Sequence, residues 1–216
     1  MHQSQLESIK RPAKSTEKPA PLILMLHGYG SNERDLFSFV SEIPEDYFVV
    51  SVRAPLELGF GSYAWYSLYL DEDSSKFSDV DEAKQALVAI NGFLKTLLSK
   101  ENIDPNRVCL MGFSQGSILS MAYALQHPQR VKCVLALSGY LNQELIEGAD
   151  LKAAKAVEFF VSHGSVDQVI PVDWARRTSP FFKQHDIPHS YSEYPVGHGV
   201  APQNFHDMMD FLQQKL

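Results

Sequence analysis

The sequence predicts an α/β fold with a mostly parallel central sheet flanked by helices, and three features point there. Short apolar runs at residues 22–26, 48–52, 108–111, 131–137 and 157–162 read as strands, and the first and fourth are continuous, as in strands covered on both faces. Segments with apolar residues at helical spacing lie between several of them. Glycine-bearing turns follow the runs: His27-Gly28-Tyr29-Gly30, Gly112-Phe113-Ser114-Gln115-Gly116, Ser138-Gly139 and His163-Gly164. Strands alternating with helices make a parallel sheet the natural architecture.

Residues 1–20 are rich in Lys, Ser, Pro and Gln and read as a flexible arm or a weak edge strand, and residues 21–216 as one domain. After the first strand, Leu36, Phe37, Phe39 and Val40 suggest a short helix closed by Pro44. The second strand ends at Arg53-Ala54-Pro55. Residues 56–78 then read as a long aromatic-rich loop, and such loops in compact domains are usually functional. A helix follows over residues 80–99, with Ala83, Ala86, Leu87, Ile90, Leu94, Leu97 and Leu98 on one face. Ile103-Asp104-Pro105 is read as a turn into the third strand. Ile118, Leu119, Met121, Ala122 and Leu125 place a helix after it, ended by His127-Pro128. Residues 141–146 read as a short helix, and residues 173–184 as a helix kinked at Pro180. Alternation over residues 189–194 gives a last strand, and residues 205–216 a closing helix.

The whole chain excludes several functions. Its 216 residues suit one domain with a large core. A net charge of -7, with no Lys/Arg run beyond a pair, argues against nucleic acid or an anionic membrane as partner. The N-terminus lacks the apolar core of a secretory signal, and no apolar run approaches a membrane span, so a cytoplasmic protein without stable membrane insertion is expected. Cys109 and Cys133 make no metal-ligand spacing and read as buried thiols.

The chemistry centres on Gly112-Phe113-Ser114-Gln115-Gly116. Strand, tight turn and helix around a Gly-x-Ser-x-Gly are what a nucleophile elbow requires, with the serine raised on a strained backbone at the top of the sheet. A serine hydroxyl needs a base within reach, and the base an orienting acid. In α/β-hydrolases these follow in the order Ser, Asp or Glu, His. Ser114, Asp167 and His198 satisfy that order, each just past an expected strand; Asp173 and Asp186 are alternatives for the acid. Among eight histidines, His2, His185, His189 and His206 lie in polar or helical stretches, His127 ends a helix, and His27 and His163 precede Asp167. His198 sits between two glycines near the C-terminus. Donors for the developing oxyanion should be the backbone N–H of Gln115, at the start of its helix, and that of Tyr29, in the first glycine loop. Trp65, Tyr66 and Phe60, in the aromatic loop, are the expected substrate contacts, and the same aromatics are candidates for a homodimer contact.

Taken together, Leu26-His27-Gly28-Tyr29-Gly30, Asp35-Leu36, Ala64-Trp65-Tyr66, Gly112 to Gly116, Ser138-Gly139, His163-Gly164 with Asp167, and Gly197-His198-Gly199 resemble the phospholipase/carboxylesterase family. That family includes the bacterial carboxylesterases and the acyl-protein thioesterases. The resemblance implies an α/β-hydrolase core without a large cap domain. It implies a triad at Ser114, Asp167 and His198, oxyanion donors from Tyr29 and Gln115, and structural roles for His27 and His163. Short to medium acyl esters, lysophospholipids or acyl thioesters would be cleaved with neither metal nor cofactor. Residues 56–78 follow the family only around Trp65. The alternatives are a peptidase or lactone hydrolase on the same fold, marked by inertness toward simple esters, and a non-catalytic binding protein, marked by a Ser114 that resists fluorophosphonate labelling.

Overall fold

The computed structural model describes residues 6–15, 17–70 and 76–216. In chain order its strands are β1 (Ser8–Arg11), β2 (Ala20–Leu26), β3 (Phe48–Val52), β4 (Leu56–Gly59), β5 (Ser62–Ala64), β6 (Leu68–Leu70), β7 (Lys76–Ser78), β8 (Ile103–Phe113), β9 (Cys133–Leu137), β10 (Glu158–Gly164) and β11 (His189–Tyr194). The α-helices are α1 (Arg34–Phe37), α2 (Val80–Lys100), α3 (Gln115–Gln126), α4 (Val172–Arg176), α5 (Thr178–Gln184) and α6 (Pro202–Lys215).

A seven-stranded sheet runs in the order β1-β3-β2-β8-β9-β10-β11. Every neighbouring pair is parallel except β1 with β3. The continuous runs form its centre, and β2, β3 and β9 are buried along their whole length. Alternate side chains of a strand point to opposite faces, so each run feeds two cores. Leu22, Leu24 and Leu26 join Ile90, Leu94 and the helix α3 on one face, while Ile23 and Met25 meet Met208 and Leu212 of α6 on the other. Cys109 and Cys133 are free, buried and in register on β8 and β9. Burial pushes the Cys109 thiol up, as expected for an apolar strand core. Among the described residues no helix is long and apolar enough to cross a membrane.

One expectation about local structure offers two readings, and three others are corrected. Part of the expected N-terminal arm is an edge strand: Ser8–Arg11 pairs with β3. Arg11 secures it by donating to the carbonyls of Val40, Ile43, Pro44 and Tyr47, contacts distant in sequence. The long loop contains two antiparallel ribbons, β4 with β5 and β6 with β7; residues 71–75 lie outside the described residues. The turn at Ile103-Asp104-Pro105 lies within β8, where the register with β2 shifts and the Asp104 carboxylate accepts from the Asn106 N–H at 2.9 Å. The helix expected to kink at Pro180 divides instead at Arg177 into α4 and α5. Pro180 falls in the first turn of α5, where a missing N–H costs nothing.

The long helix α2 is fixed at its start by Asp79, whose carboxylate accepts from the Glu82 N–H at 2.9 Å. Ser78, the last residue of β7 and the neighbour of this cap, lines the cavity described below.

Candidate active site

The site lies at the carboxyl edge of the parallel strands, where groups on strand-to-helix loops converge. Ser114 stands between β8 and α3 with φ 54° and ψ -116°, a left-handed backbone that a side chain rarely adopts. Three neighbours hold it there. Its N–H donates to the Leu137 carbonyl at 3.0 Å. A Cβ on Gly112 would lie 2.2 Å from the Gly116 carbonyl oxygen, and one on Gly116 would lie 1.9 Å from that of Leu26. Helix α3 can therefore start against the end of β2 only because both residues are glycine.

Asp167 and His198 come from the loops after β10 and β11. Their docking rests on close backbone approach: a Cβ on Gly164 would lie 2.1 Å from the Gly197 carbonyl oxygen. The Ser165 N–H donates to Tyr194 and the Val166 N–H to Val196, tying the two loops together. His198 Nδ1 donates to Asp167 Oδ2 at 2.7 Å, which leaves its Nε2 for the cavity side. Asp167 Oδ1 accepts from the N–H groups of Val169 and Ile170 at 2.8 and 3.0 Å. The buried His163 adds Nε2 at 3.3 Å from Asp167 Oδ2 while also meeting the Ile170 carbonyl at 2.9 Å. Neither Asp173 nor Asp186 takes this place: Asp173 pairs with Arg176 and Asp186 with Lys155.

Burial by itself would raise the Asp167 carboxyl, but the hydrogen bonds from His198, Ile170 and Val169 outweigh it and hold it below the usual carboxylate range. With the folded value under the unfolded one, its stabilising effect is complete above the unfolded value of about 3.9 and is lost as pH falls through the folded one. The stability difference between wild type and Asp167→Asn should therefore shrink as the pH falls below about 4 in chemical denaturation. A difference that grows on acidification would contradict a carboxylate held in its charged form.

Ser114 and His198 line one cavity of about 590 Å³, together with Gly28, Tyr29 and Gln115. The Phe113 ring lies 4.9 Å from that of His198. A Cβ on Gly28 would be 3.2 Å from the Cβ of Ser114, so the first glycine loop passes directly beside the serine. Gln115 opens α3, and the first N–H groups of a helix have no carbonyl one turn back to receive them. The expected oxyanion donors thus flank the same cavity as the serine and the histidine. His27 is buried and structural in its contacts: Nδ1 donates to the Gly28 carbonyl at 2.7 Å, and Nε2 accepts the Ala54 N–H at 3.0 Å. Burial lowers its basicity, in keeping with a neutral ring.

The expected substrate contacts divide. Tyr66 lines the cavity. Trp65 does not: it is 1% exposed and turned behind the first glycine loop, where its Nε1 donates to the His27 carbonyl at 2.9 Å. Phe60 does not either: it stands fully exposed at the turn between β4 and β5 with φ 53°. The apolar wall is supplied instead by Leu68, Ile118, Ile170 and Trp174, with Tyr140 beside them. Tyr140 follows Ser138-Gly139 at a strand end, so the strand-end rule reaches it. Trp174 lies on α4 and carries no comparable signal; packing against Tyr140, 5.2 Å between ring centres, brings it in.

Proteins similar to this chain are known. The family model described as phospholipase/carboxylesterase matches residues 8–216. An acyl-protein thioesterase 1 from Kluyveromyces lactis is 26% identical, the match covering 95% of this chain and 96% of that protein. One from Mycosarcoma maydis is 27% identical over 98% of both. Among solved structures, esterase PE8 superposes with a TM-score of 0.82 at 25% identity, covering 98% of this chain and all of that one. The Bacillus cereus carboxylesterase gives 0.80 at 19% identity, covering 98% and 95%, which speaks to the fold alone.

Proposed function

Because the chain belongs to the phospholipase/carboxylesterase family, we propose that it hydrolyses small-molecule carboxylic esters and acyl thioesters through an acyl-enzyme on Ser114. The observation that carries this reading is the 2.7 Å hydrogen bond between His198 and Asp167 at a cavity that Ser114 also lines. His198 takes the proton of the Ser114 hydroxyl as the oxygen attacks the acyl carbon. Asp167 keeps the imidazole oriented and stabilises its charged form. The backbone N–H groups of Tyr29 and Gln115 receive the oxyanion. His198 then returns the proton to the departing alcohol or thiol, and water repeats the sequence to free the acid. No metal or cofactor enters this chemistry, and the cytoplasm is the proposed setting.

The apolar wall of Leu68, Ile118, Ile170 and Trp174 suits an acyl chain. Hydrolysis of p-nitrophenyl esters from acetate to palmitate tests both chemistry and chain length. The proposal expects a maximum at short to medium chains, with fluorophosphonate labelling confined to Ser114. Absence of turnover across the series, or an unlabelled Ser114, would overturn the assignment.

A further inference from the structure

The residue expected to touch substrate, Trp65, is instead tied to both flanks of the serine. Its backbone N–H donates to Gln115 Oε1 at 3.0 Å, and Gln115 Nε2 donates to the Tyr66 carbonyl at 2.8 Å. One side-chain amide thus pairs with two successive backbone groups, and Gln115 is 3% exposed. On the other side, the Trp65 indole N–H donates to the His27 carbonyl at 2.9 Å, two residues before Tyr29. Two residues earlier in the aromatic segment, Tyr63 forms a β-bridge with Ser31. The Gly30 N–H donates to the Tyr63 carbonyl at 2.9 Å, and the Tyr63 N–H donates to the Ser31 carbonyl at 2.8 Å. Residues 63–66 therefore grip the first glycine loop on both sides of Tyr29, and grip Gln115 itself.

We infer that residues 63–66 are a brace that fixes the separation of the two oxyanion donors, with Trp65 and the Gln115 side chain as its positioning residues. The inference rests on the reading of Ser114 as nucleophile and of the Tyr29 and Gln115 N–H groups as oxyanion donors. Those N–H groups sit on different elements, one after β2 and one at the start of α3. Preorganised donors stabilise the transition state only while they stay aimed where charge develops. A misplacement of about 1 Å costs on the order of a hundredfold in rate. The brace spans both donors in buried surroundings, where Trp65 and Gln115 face backbone groups rather than water. Tyr66, next in the chain, lines the cavity, so the same clamp also sets one wall of it.

Two variants test this without touching either N–H. Trp65→Phe removes the indole donor and keeps an aromatic ring; Gln115→Met keeps the side-chain length and removes both amide hydrogen bonds. Rates are expressed per active site, titrated with a fluorophosphonate, so that any unfolded fraction drops out. The expected result for each is a fall in kcat of about tenfold to a hundredfold, with KM within about twofold. Binding of an alkyl boronic acid, which forms a tetrahedral adduct on serine, should weaken in step with kcat/KM. The inhibition constant of a non-hydrolysable ether analogue of the ester should stay within about twofold, because it presents no oxyanion. Unchanged kcat in both variants overturns the brace, and so does a loss carried by KM and shared by the ether analogue. If wild type itself neither turns over ester nor labels at Ser114, the proposed function falls and this inference falls with it.

Discussion

Replacement of Ser114 by alanine should lower kcat/KM by about four to six orders of magnitude, leaving only what binding and the oxyanion donors supply. The hydroxyl is the sole nucleophile in the proposed chemistry, and its base and acid have no other partner to activate. The fold should survive, since the side chain is small and its backbone N–H still reaches Leu137. Turnover within tenfold of wild type would refute the assignment. The same position reports on strain. With φ at 54°, alanine keeps the unfavourable conformation, whereas glycine adopts it freely. Ser114→Gly should therefore be as inactive as Ser114→Ala yet more stable than it by about 1 kcal/mol, the relief of strain offset partly by glycine's entropy in the unfolded chain. Urea denaturation of the two inactive variants decides this, and equal midpoints would mean that the elbow stores no more strain than glycine's entropic cost.

Gly116→Ala should be the most damaging addition of a single methyl group. The new Cβ would lie 1.9 Å from the Leu26 carbonyl oxygen and 2.8 Å from that of His27, both backbone atoms with no room to yield. Helix α3 would have to lift from the end of β2, parting the helix start from the first glycine loop. A cost above about 4 kcal/mol is expected, a large share of the 5–15 kcal/mol that usually holds a domain together. Gly30→Ala in the same neighbourhood is the control. Its φ of +75° disfavours a side chain, but no atom lies within 4 Å of the added Cβ. It should cost only about 1–2 kcal/mol. If the two variants unfold at the same denaturant concentration, close packing of α3 on β2 is not what the glycine serves.

The strands of the central sheet were legible because their signal is local. Runs such as Leu22 to Leu26 are apolar at every position, and only burial on both faces makes such a run stable. The strand β1 carried no such signal. Ser8–Arg11 is polar apart from Ile9, and its order comes from pairing with β3 and from the Arg11 guanidinium on four distant carbonyls. The cut between α4 and α5 was hidden likewise, since Pro180 marks a helix start as readily as a kink.

The candidate site follows the same division. Sequence by itself determined the elbow at Ser114, the chain order of Ser114, Asp167 and His198, and the first glycine loop, because each depends on residue types at fixed short spacing. Only the tertiary structure decided that Asp167, rather than Asp173 or Asp186, meets His198, since the contact needs the Gly164 and Gly197 backbones in touch. It also decided that Tyr66 lines the cavity while Trp65 turns away to the His27 carbonyl and the Gln115 amide. Two adjacent aromatics read alike in a sequence. Which of them faces substrate depends on the backbone groups against which the segment docks, and those belong to strands and loops far along the chain.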